Sequence, residues 1–138
     1  MPTFNIPWIS VVIPTYGVIG VELTAECLKS LRETHSHLGH LEIVVVDDGS
    51  GEPVWSALMD VCAAHGARLI ALDKNSGFAK ACNAGIRNVS GQAVFLVNND
   101  IVFQNCPTLQ ILADTLLVTN SGVVGTRLLY PDGTLQHA

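Results

Sequence analysis

Short apolar runs rich in Val and Ile recur along the chain at Ile9 to Ile13, Leu41 to Val46, Arg68 to Leu72, Ala93 to Val97 and Val123 to Leu129. Each is continuous rather than alternating, which is the pattern of strands covered on both faces. Segments with helical spacing lie between them. In the first, Leu23, Cys27, Leu28 and Leu31 fall on one face. In the second, Val54, Leu58, Val61 and Cys62 make the stripe, and Pro53 suits a first helical turn. A third helix is predicted from Phe78, capped by Asn75 or Ser76, to about Val89. A fourth is predicted from Pro107 to about Thr119, with Asn120 to Gly122 as the stop. This alternation predicts an α/β fold, a doubly wound, mostly parallel sheet flanked by helices.

Composition narrows the classes. With 138 residues, 49% hydrophobic and 14% charged, the chain can bury a core, and its length favours one domain over two. Disorder calls for the reverse composition. A net charge of −5 with only 7 Lys and Arg argues against nucleic acid as a partner. Cys27, Cys62, Cys82 and Cys106 form no C-x-x-C pair and read as reduced core cysteines. No stretch approaches the ~20 apolar residues that span a bilayer, and no signal segment opens the chain, so a cytoplasmic location is expected. The chain stops at Ala138, just after a Pro131-Asp132-Gly133 turn that ordinarily leads into another strand or loop, so a fragment is expected.

In an open parallel sheet, ligands bind at the carboxyl ends of strands. Those positions are polar here: Pro14-Thr15-Tyr16-Gly17, Asp47-Asp48-Gly49-Ser50, Asp73-Lys74-Asn75-Ser76-Gly77 and Asn98-Asn99-Asp100. Asp47-Asp48-Gly49-Ser50 reads either as a turn with a helix cap or as part of a ligand site. Adjacent carboxylates repel, and a bound base, ribose or metal would compensate; a carboxylate can accept from the imide N–H of uracil or thymine. Asn98-Asn99-Asp100 is either an Asn-rich turn or a site in which Asp100 helps hold Mg2+ or Mn2+ and the amides meet hydroxyls. The small residues from Asn75 to Gly85 open a helix and allow close approach, either to a ligand or to the sheet. His35, His37 and His40 read as a solvated loop between the first helix and the second strand.

Taken together, Val12-Ile13-Pro14-Thr15-Tyr16, Val44 to Ser50, Asn75 to Gly85 and Phe95 to Ile101 resemble the family-2 glycosyltransferases of the GT-A fold. The resemblance covers the chain from about Ile9 to its last residue. Leu128 to His137 is similar to bacterial members that resemble rhamnosyltransferases. The resemblance implies the Rossmann-like, nucleotide-sugar-binding half of such an enzyme over residues 1–138, with the acceptor and base part missing. It implies transfer of a sugar, with inversion, from a nucleoside-diphosphate sugar to a hydroxyl of a saccharide or lipid-linked acceptor, as in bacterial cell-surface polysaccharide synthesis.

Residue by residue, the resemblance puts Thr15, Tyr16 and Asp48 in the nucleoside pocket, with Asp48 accepting from the base. It puts Pro14, Gly77, Asn83, Asn98 and Asn99 among the residues that bind the nucleotide sugar. Asn98 to Asp100 match the family's Asp-x-Asp motif, in which the last acid, Asp100, holds a divalent cation, Mg2+ or Mn2+. Gly17 stands where the family commonly has Asn, and Asn98 replaces the first acid. The acids beyond Asp100 are Asp114 and Asp132, neither in a matching context, so no catalytic base is assigned.

Three other readings meet the same residues. A phosphoacceptor receiver domain needs its acid pair after the first strand and a late Lys, whereas Asp47-Asp48 follow the second and no Lys follows Lys80. A dinucleotide-dependent dehydrogenase needs a G-x-G-x-x-G turn that is missing here. A nucleotide-binding module without transferase activity is the non-enzyme alternative.

Overall fold

The computed structural model describes residues 8–104 and 106–137. They fall into two compact units, one within Pro7–Cys106 and one within Pro107–Ala138. The larger unit carries β1 (Ile9–Thr15), α1 (Gly17–His35), β2 (Leu41–Asp47), α2 (Val54–Ala64), β3 (Arg68–Ala71), α3 (Phe78–Ile86) and β4 (Ala93–Leu96). Its four strands lie in the order β3-β2-β1-β4, and every pair is parallel. The doubly wound parallel sheet expected from the alternation is therefore present.

The two central strands behave as the apolar runs predict. All of β1 is buried, and Val44, Val45 and Val46 of β2 are fully so. Their β-branched side chains fill both faces of the pleat. The edge strands depart from that expectation: β3 is partly exposed, and in β4 Val94 and Leu96 are about half exposed. A continuous apolar run does not distinguish a centre from an edge. On one face α3 lies close to the sheet, where a Cβ on Gly85 would run into Val12 and come within 3.1 Å of Val46 Cγ2. Small residues in this helix therefore serve tight helix-on-sheet packing.

Several boundaries differ from expectation. Helix α3 ends at Ile86 rather than near Val89, because the Arg87 and Asn88 N–H groups close the last turn on Asn83 and Gly85. His35 lies not in a loop but in the last turn of α1, 1% exposed and edge-on to Phe103 at 5.4 Å. It stands four residues after Leu31 and so extends the buried stripe, and burial lowers its pKa. His37 and His40 are exposed, as expected. Cys27, Cys62 and Cys82 are free and buried, whereas Cys106 is exposed and is not a core residue. Burial pushes the Cys62 thiol up to about 11.

The smaller unit holds α4 (Thr108–Thr119), β5 (Leu128–Leu129) and β6 (Leu135–His137). Asn120, in the left-handed region at φ 50°, ends α4 where the stop was expected. The strand expected over Val123 to Leu129 is confined to Leu128–Leu129, and it pairs antiparallel with β6. The Pro131-Asp132-Gly133 turn explains this, since a reversal this tight can only join antiparallel neighbours. Asp132 fixes the turn by accepting the Thr134 N–H and hydroxyl at 2.9 and 2.6 Å. No helix among the described residues is long and apolar enough to cross a membrane.

A polar cluster closes the amino-terminal ends of β1 and β2. The Glu42 carboxylate accepts from the Ser10 hydroxyl at 2.6 Å and the Ser90 N–H at 2.9 Å, and lies 3.3 Å from Arg68. These partners, the Ser10 hydroxyl foremost, hold Glu42 below the ordinary glutamate value of 4.5. A group with a depressed folded-state pKa contributes stability that is present above its unfolded pKa and lost as pH falls through the folded one. The melting temperature is expected to fall as pH drops below 4.5, and to fall less in Glu42→Gln. Identical acid limbs for the two proteins in a calorimetric pH series would count against this assignment.

Candidate functional site

From β1 the chain moves outward through β2 to β3, then returns to place β4 on the other side of β1. The crossovers therefore diverge between β1 and β4, where the ends of two adjacent strands open a crevice. A cleft of about 420 Å³ lies there, lined by Pro14 at the end of β1, by Asn98, Asn99 and Asp100 after β4, and by Phe78. The topology thus brings together two of the four polar strand ends.

The other two strand ends build the support. Asp47 is 1% exposed and closes a local turn, accepting the Ser50 hydroxyl at 2.5 Å and the Ser50 N–H at 3.2 Å. Asp48 is 5% exposed and reaches the third strand end, where Oδ1 accepts the Ser76 N–H and Oδ2 the Gly77 N–H, both at 2.8 Å. The mutual repulsion expected of adjacent acids is thus offset by hydrogen bonds within the protein. Neither Asn75 nor Ser76 caps α3 as expected: its N-cap is Gly77 at φ 93° with no side-chain cap, and Asp48 holds the turn just ahead of the helix. A carboxylate delivered by a rigid strand holds this turn from outside it.

Gly49 makes that reach possible. Its φ is +77°, and a Cβ there would lie 2.5 Å from Lys74 Cα and 2.6 Å from the Asn75 nitrogen. Ser50 then ties the loop to α1 by accepting the Gly17 N–H at 2.8 Å. Gly17 adopts φ +75°, a region open to Gly and, among other residues, most readily to Asn or Asp. Gly at a position where the resembled family commonly has Asn is therefore consistent with the backbone.

Within the cleft, Asn99 is half-buried, and its amide nitrogen donates to the buried Thr15 hydroxyl at 3.0 Å. Asn98 and Asp100 are exposed, and the Asp100 carboxylate accepts no hydrogen bond among the described residues. Beneath this turn the Cys27 thiol donates to the Asn98 carbonyl at 3.9 Å. Burial first, and the Asp100 charge second, push that thiol up to about 12, so it stays protonated. Among the described residues there is no group of three or more His, Cys, Asp and Glu that could hold a metal. What the cleft offers is one free carboxylate with neighbouring amide oxygens. That donor set fits a hard divalent cation only if a ligand's phosphates complete the shell, which is how Mg2+ usually binds.

The remaining sequence-derived residues stand apart from the lining. Thr15 and Asp48 are buried behind it, and Gly77 spends its N–H on Asp48. Tyr16 is exposed at the N-cap of α1, and Asn83 is exposed on α3. Phe78 was not singled out as a site residue, yet it is 61% exposed and forms one wall of the cleft. The available signal was an aromatic residue directly after a Gly at a strand-end rim.

The sequence profile of glycosyl transferase family 2 matches residues 10–137. The chain belongs to that family. A mannosyltransferase from Pyrobaculum calidifontis, solved with GDP-Man and Mn2+, superposes on this glycosyltransferase chain with a TM-score of 0.71 at 26% identity, covering 95% of this chain and 38% of that one. Staphylococcus aureus TarS 1-349, solved with UDP-GlcNAc, gives a TM-score of 0.65 at 26% identity over 81% of this chain and 32% of that one. The undecaprenyl-phosphate 4-deoxy-4-formamido-L-arabinose transferase of Edwardsiella ictaluri is 33% identical over 106 residues, 75% of this chain and 31% of that protein. The chain thus spans about a third of the length of these glycosyltransferases. Its parallel sheet flanked by helices is the GT-A architecture, and family membership displaces the receiver and dehydrogenase readings.

Proposed function

We propose that this chain is the donor-binding part of an inverting glycosyltransferase that moves a hexosyl or deoxyhexosyl group from a nucleoside-diphosphate sugar to an acceptor hydroxyl. The observation that carries the reading is the cleft at the divergence of the crossovers, where the Asp100 carboxylate, beside Asn98 and Asn99, accepts no hydrogen bond among the described residues. In such a transfer the acceptor oxygen forms a bond to the anomeric carbon while the bond to the diphosphate breaks, and the acceptor's proton passes to a base. Asp100 would hold Mg2+ or Mn2+, and the cation when bound neutralises charge on the departing diphosphate. Asn98 and Asn99 would meet sugar or ribose hydroxyls, and Phe78 with Pro14 would give an apolar wall.

Asp48 and Gly77 act in this reading by holding the 75–77 turn and the start of α3, and the exposed Tyr16 and Asn83 would meet the donor from outside the lining. No base is assigned: Asp132 is engaged in its own turn, and Asp114 accepts from Gln110 on the same helix at 2.7 Å. A saccharide or lipid-linked acceptor of bacterial cell-surface polysaccharide synthesis, on the cytoplasmic side, agrees with the undecaprenyl-phosphate transferase among the relatives. The similarity of Leu128 to His137 to rhamnosyltransferase-like members favours a deoxyhexose as the donor sugar.

The test is thermal stabilisation by UDP, TDP, GDP and ADP with and without Mn2+. A native-state ligand at 100 times its Kd adds about 2.7 kcal/mol, on the order of a 10 °C rise for a chain of this size. One nucleoside diphosphate is expected to give a rise that needs Mn2+. Stabilisation by none of them would remove the donor-site reading, and binding without transfer would favour the nucleotide-binding module.

A further inference from the structure

The buried face of α1 carries Cys27, Leu28 and Leu31, all fully buried, and beside them Ser30 at 7% exposed. A hydroxyl in that setting needs partners, and it has two. Ser30 Oγ donates to the Cys27 carbonyl at 2.9 Å and accepts the Phe103 N–H at 3.0 Å. The direction of both bonds is fixed, because a backbone carbonyl can only accept and a backbone N–H can only donate. The first is the ordinary back-bond of a helical Ser. The second reaches 73 residues along the chain, to the segment that follows β4. Phe103 is buried too, with its ring edge-on to His35 at 5.4 Å and 6.5 Å from that of Phe95.

That segment carries Asp100. The Ile101 N–H closes a turn on the Asn98 carbonyl at 3.3 Å, with Asp100 at the third of its four positions. The turn is entered from the sheet, where the Val97 N–H donates to the Val12 carbonyl at 3.0 Å, and it is left through Phe103. The Cys27 thiol, a weak donor, meets the same Asn98 carbonyl from beneath. Asn98, Asn99 and Asp100 line the cleft, while α1 holds the turn and its exit from behind through Cys27 and Ser30.

We propose that Ser30 is a positioning residue for the cleft: by holding the Phe103 N–H it fixes the exit of the 98–101 turn, and with it the backbone from which Asp100 reaches a cation. Ser30 itself touches no ligand. An alanine would suit the helix better and pack on the same apolar face, so what the hydroxyl adds is the tie to Phe103. The consequence for the cation rests on the donor-site reading above, whereas the order of the turn does not.

The experiment compares wild type, Ser30→Ala and Ser30→Thr by three readouts. Hydrogen exchange of the Phe103 amide reports the tie, and 15N relaxation at Asp100 reports the order of the turn. Calorimetric binding of UDP, or of whichever nucleoside diphosphate stabilises the chain, at a series of Mn2+ concentrations reports the consequence. In Ser30→Ala the Phe103 amide is expected to exchange about tenfold faster, the factor that a net hydrogen-bond contribution of about 1.4 kcal/mol gives. The order parameter at Asp100 should fall from about 0.85, the value of rigid backbone, toward about 0.6. The half-saturating Mn2+ should rise roughly three- to tenfold, less than the 10- to 100-fold that losing a direct partner of a metal ligand costs, with metal-free binding unchanged. Ser30→Thr, which keeps the hydroxyl, should restore all three.

An unchanged order parameter at Asp100 in Ser30→Ala would overturn the proposal, and so would a Phe103 amide that exchanges no faster. Nucleotide binding that falls equally with and without Mn2+, or a Ser30→Thr protein that behaves as Ser30→Ala does, would overturn it as well and leave Ser30 a structural residue only. If wild type shows no Mn2+-dependent binding of any nucleoside diphosphate while exchange and relaxation respond as expected, the donor-site reading fails and the positioning of the turn stands. Should Ser30→Ala not fold, Ser30→Cys keeps the size and offers only a weak acceptor, and wild-type order at Asp100 in that variant would overturn the proposal.

Discussion

Asp100→Ala is expected to abolish the Mn2+-dependent part of nucleoside-diphosphate binding, a loss of about 100-fold or more at saturating metal, while leaving the melting temperature nearly unchanged. Both halves follow from its setting. Asp100 is the acid among the residues that line the cleft, so its removal leaves a cation only amide oxygens and the ligand's phosphates. Losing even an outer-shell partner costs a metal 10- to 100-fold as a rough scale, and a direct carboxylate ligand should cost more. Its side chain is also exposed and accepts no hydrogen bond among the described residues, so truncation removes no packing. Surface changes of that kind stay within about 0.5 kcal/mol. Titration of nucleotide at fixed Mn2+, beside a melting curve, separates the two effects. Unchanged metal-dependent binding would take Asp100 out of the site, and a large drop in melting temperature would make it structural.

How much of this was legible in the residues depends on whether a feature is set locally or by topology. The parallel sheet was legible, because continuous Val-rich runs separated by helical stripes have few other solutions. Burial at the edges was not, since Val94 and Leu96 look like Val44 and Val46 in sequence, and only the strand order makes them edge residues. The rim of strand ends was likewise legible, but the division of labour within it was not. Asp47 and Asp48 are adjacent and alternate in direction, so one closes its own turn while the other crosses to residues 28 and 29 positions away. No spacing rule distinguishes a carboxylate that meets a ligand from one that meets a distant backbone. His35 shows the same limit from the other side: its polar neighbours suggest a loop, but its position four residues after Leu31 makes it part of a buried face.

The second large effect is expected at a residue that touches no ligand. Gly49→Ala should destabilise the chain by about 3 kcal/mol or more, on the order of 10 °C in melting temperature, and should weaken nucleotide binding with or without Mn2+. The left-handed backbone at φ +77° costs an alanine about 1 kcal/mol. The larger contribution is steric, because the new Cβ meets Lys74 Cα and the Asn75 nitrogen at 2.5 and 2.6 Å, and backbone cannot rotate away as a side chain can. The 74–77 turn must therefore shift, drawing the Ser76 and Gly77 N–H groups off Asp48 and leaving a nearly buried carboxylate short of donors, at about 1 to 3 kcal/mol. Phe78 follows directly after Gly77 and walls the cleft, so the same shift reaches the ligand. Gly51→Ala supplies the contrast: its φ of +72° carries the same conformational cost, but a Cβ there meets nothing within 4 Å. That variant should lose only about 1 kcal/mol and bind as wild type does. Equal melting temperatures for the two variants would mean that the close approach of Gly49 to the Lys74–Asn75 backbone does not hold this loop in place.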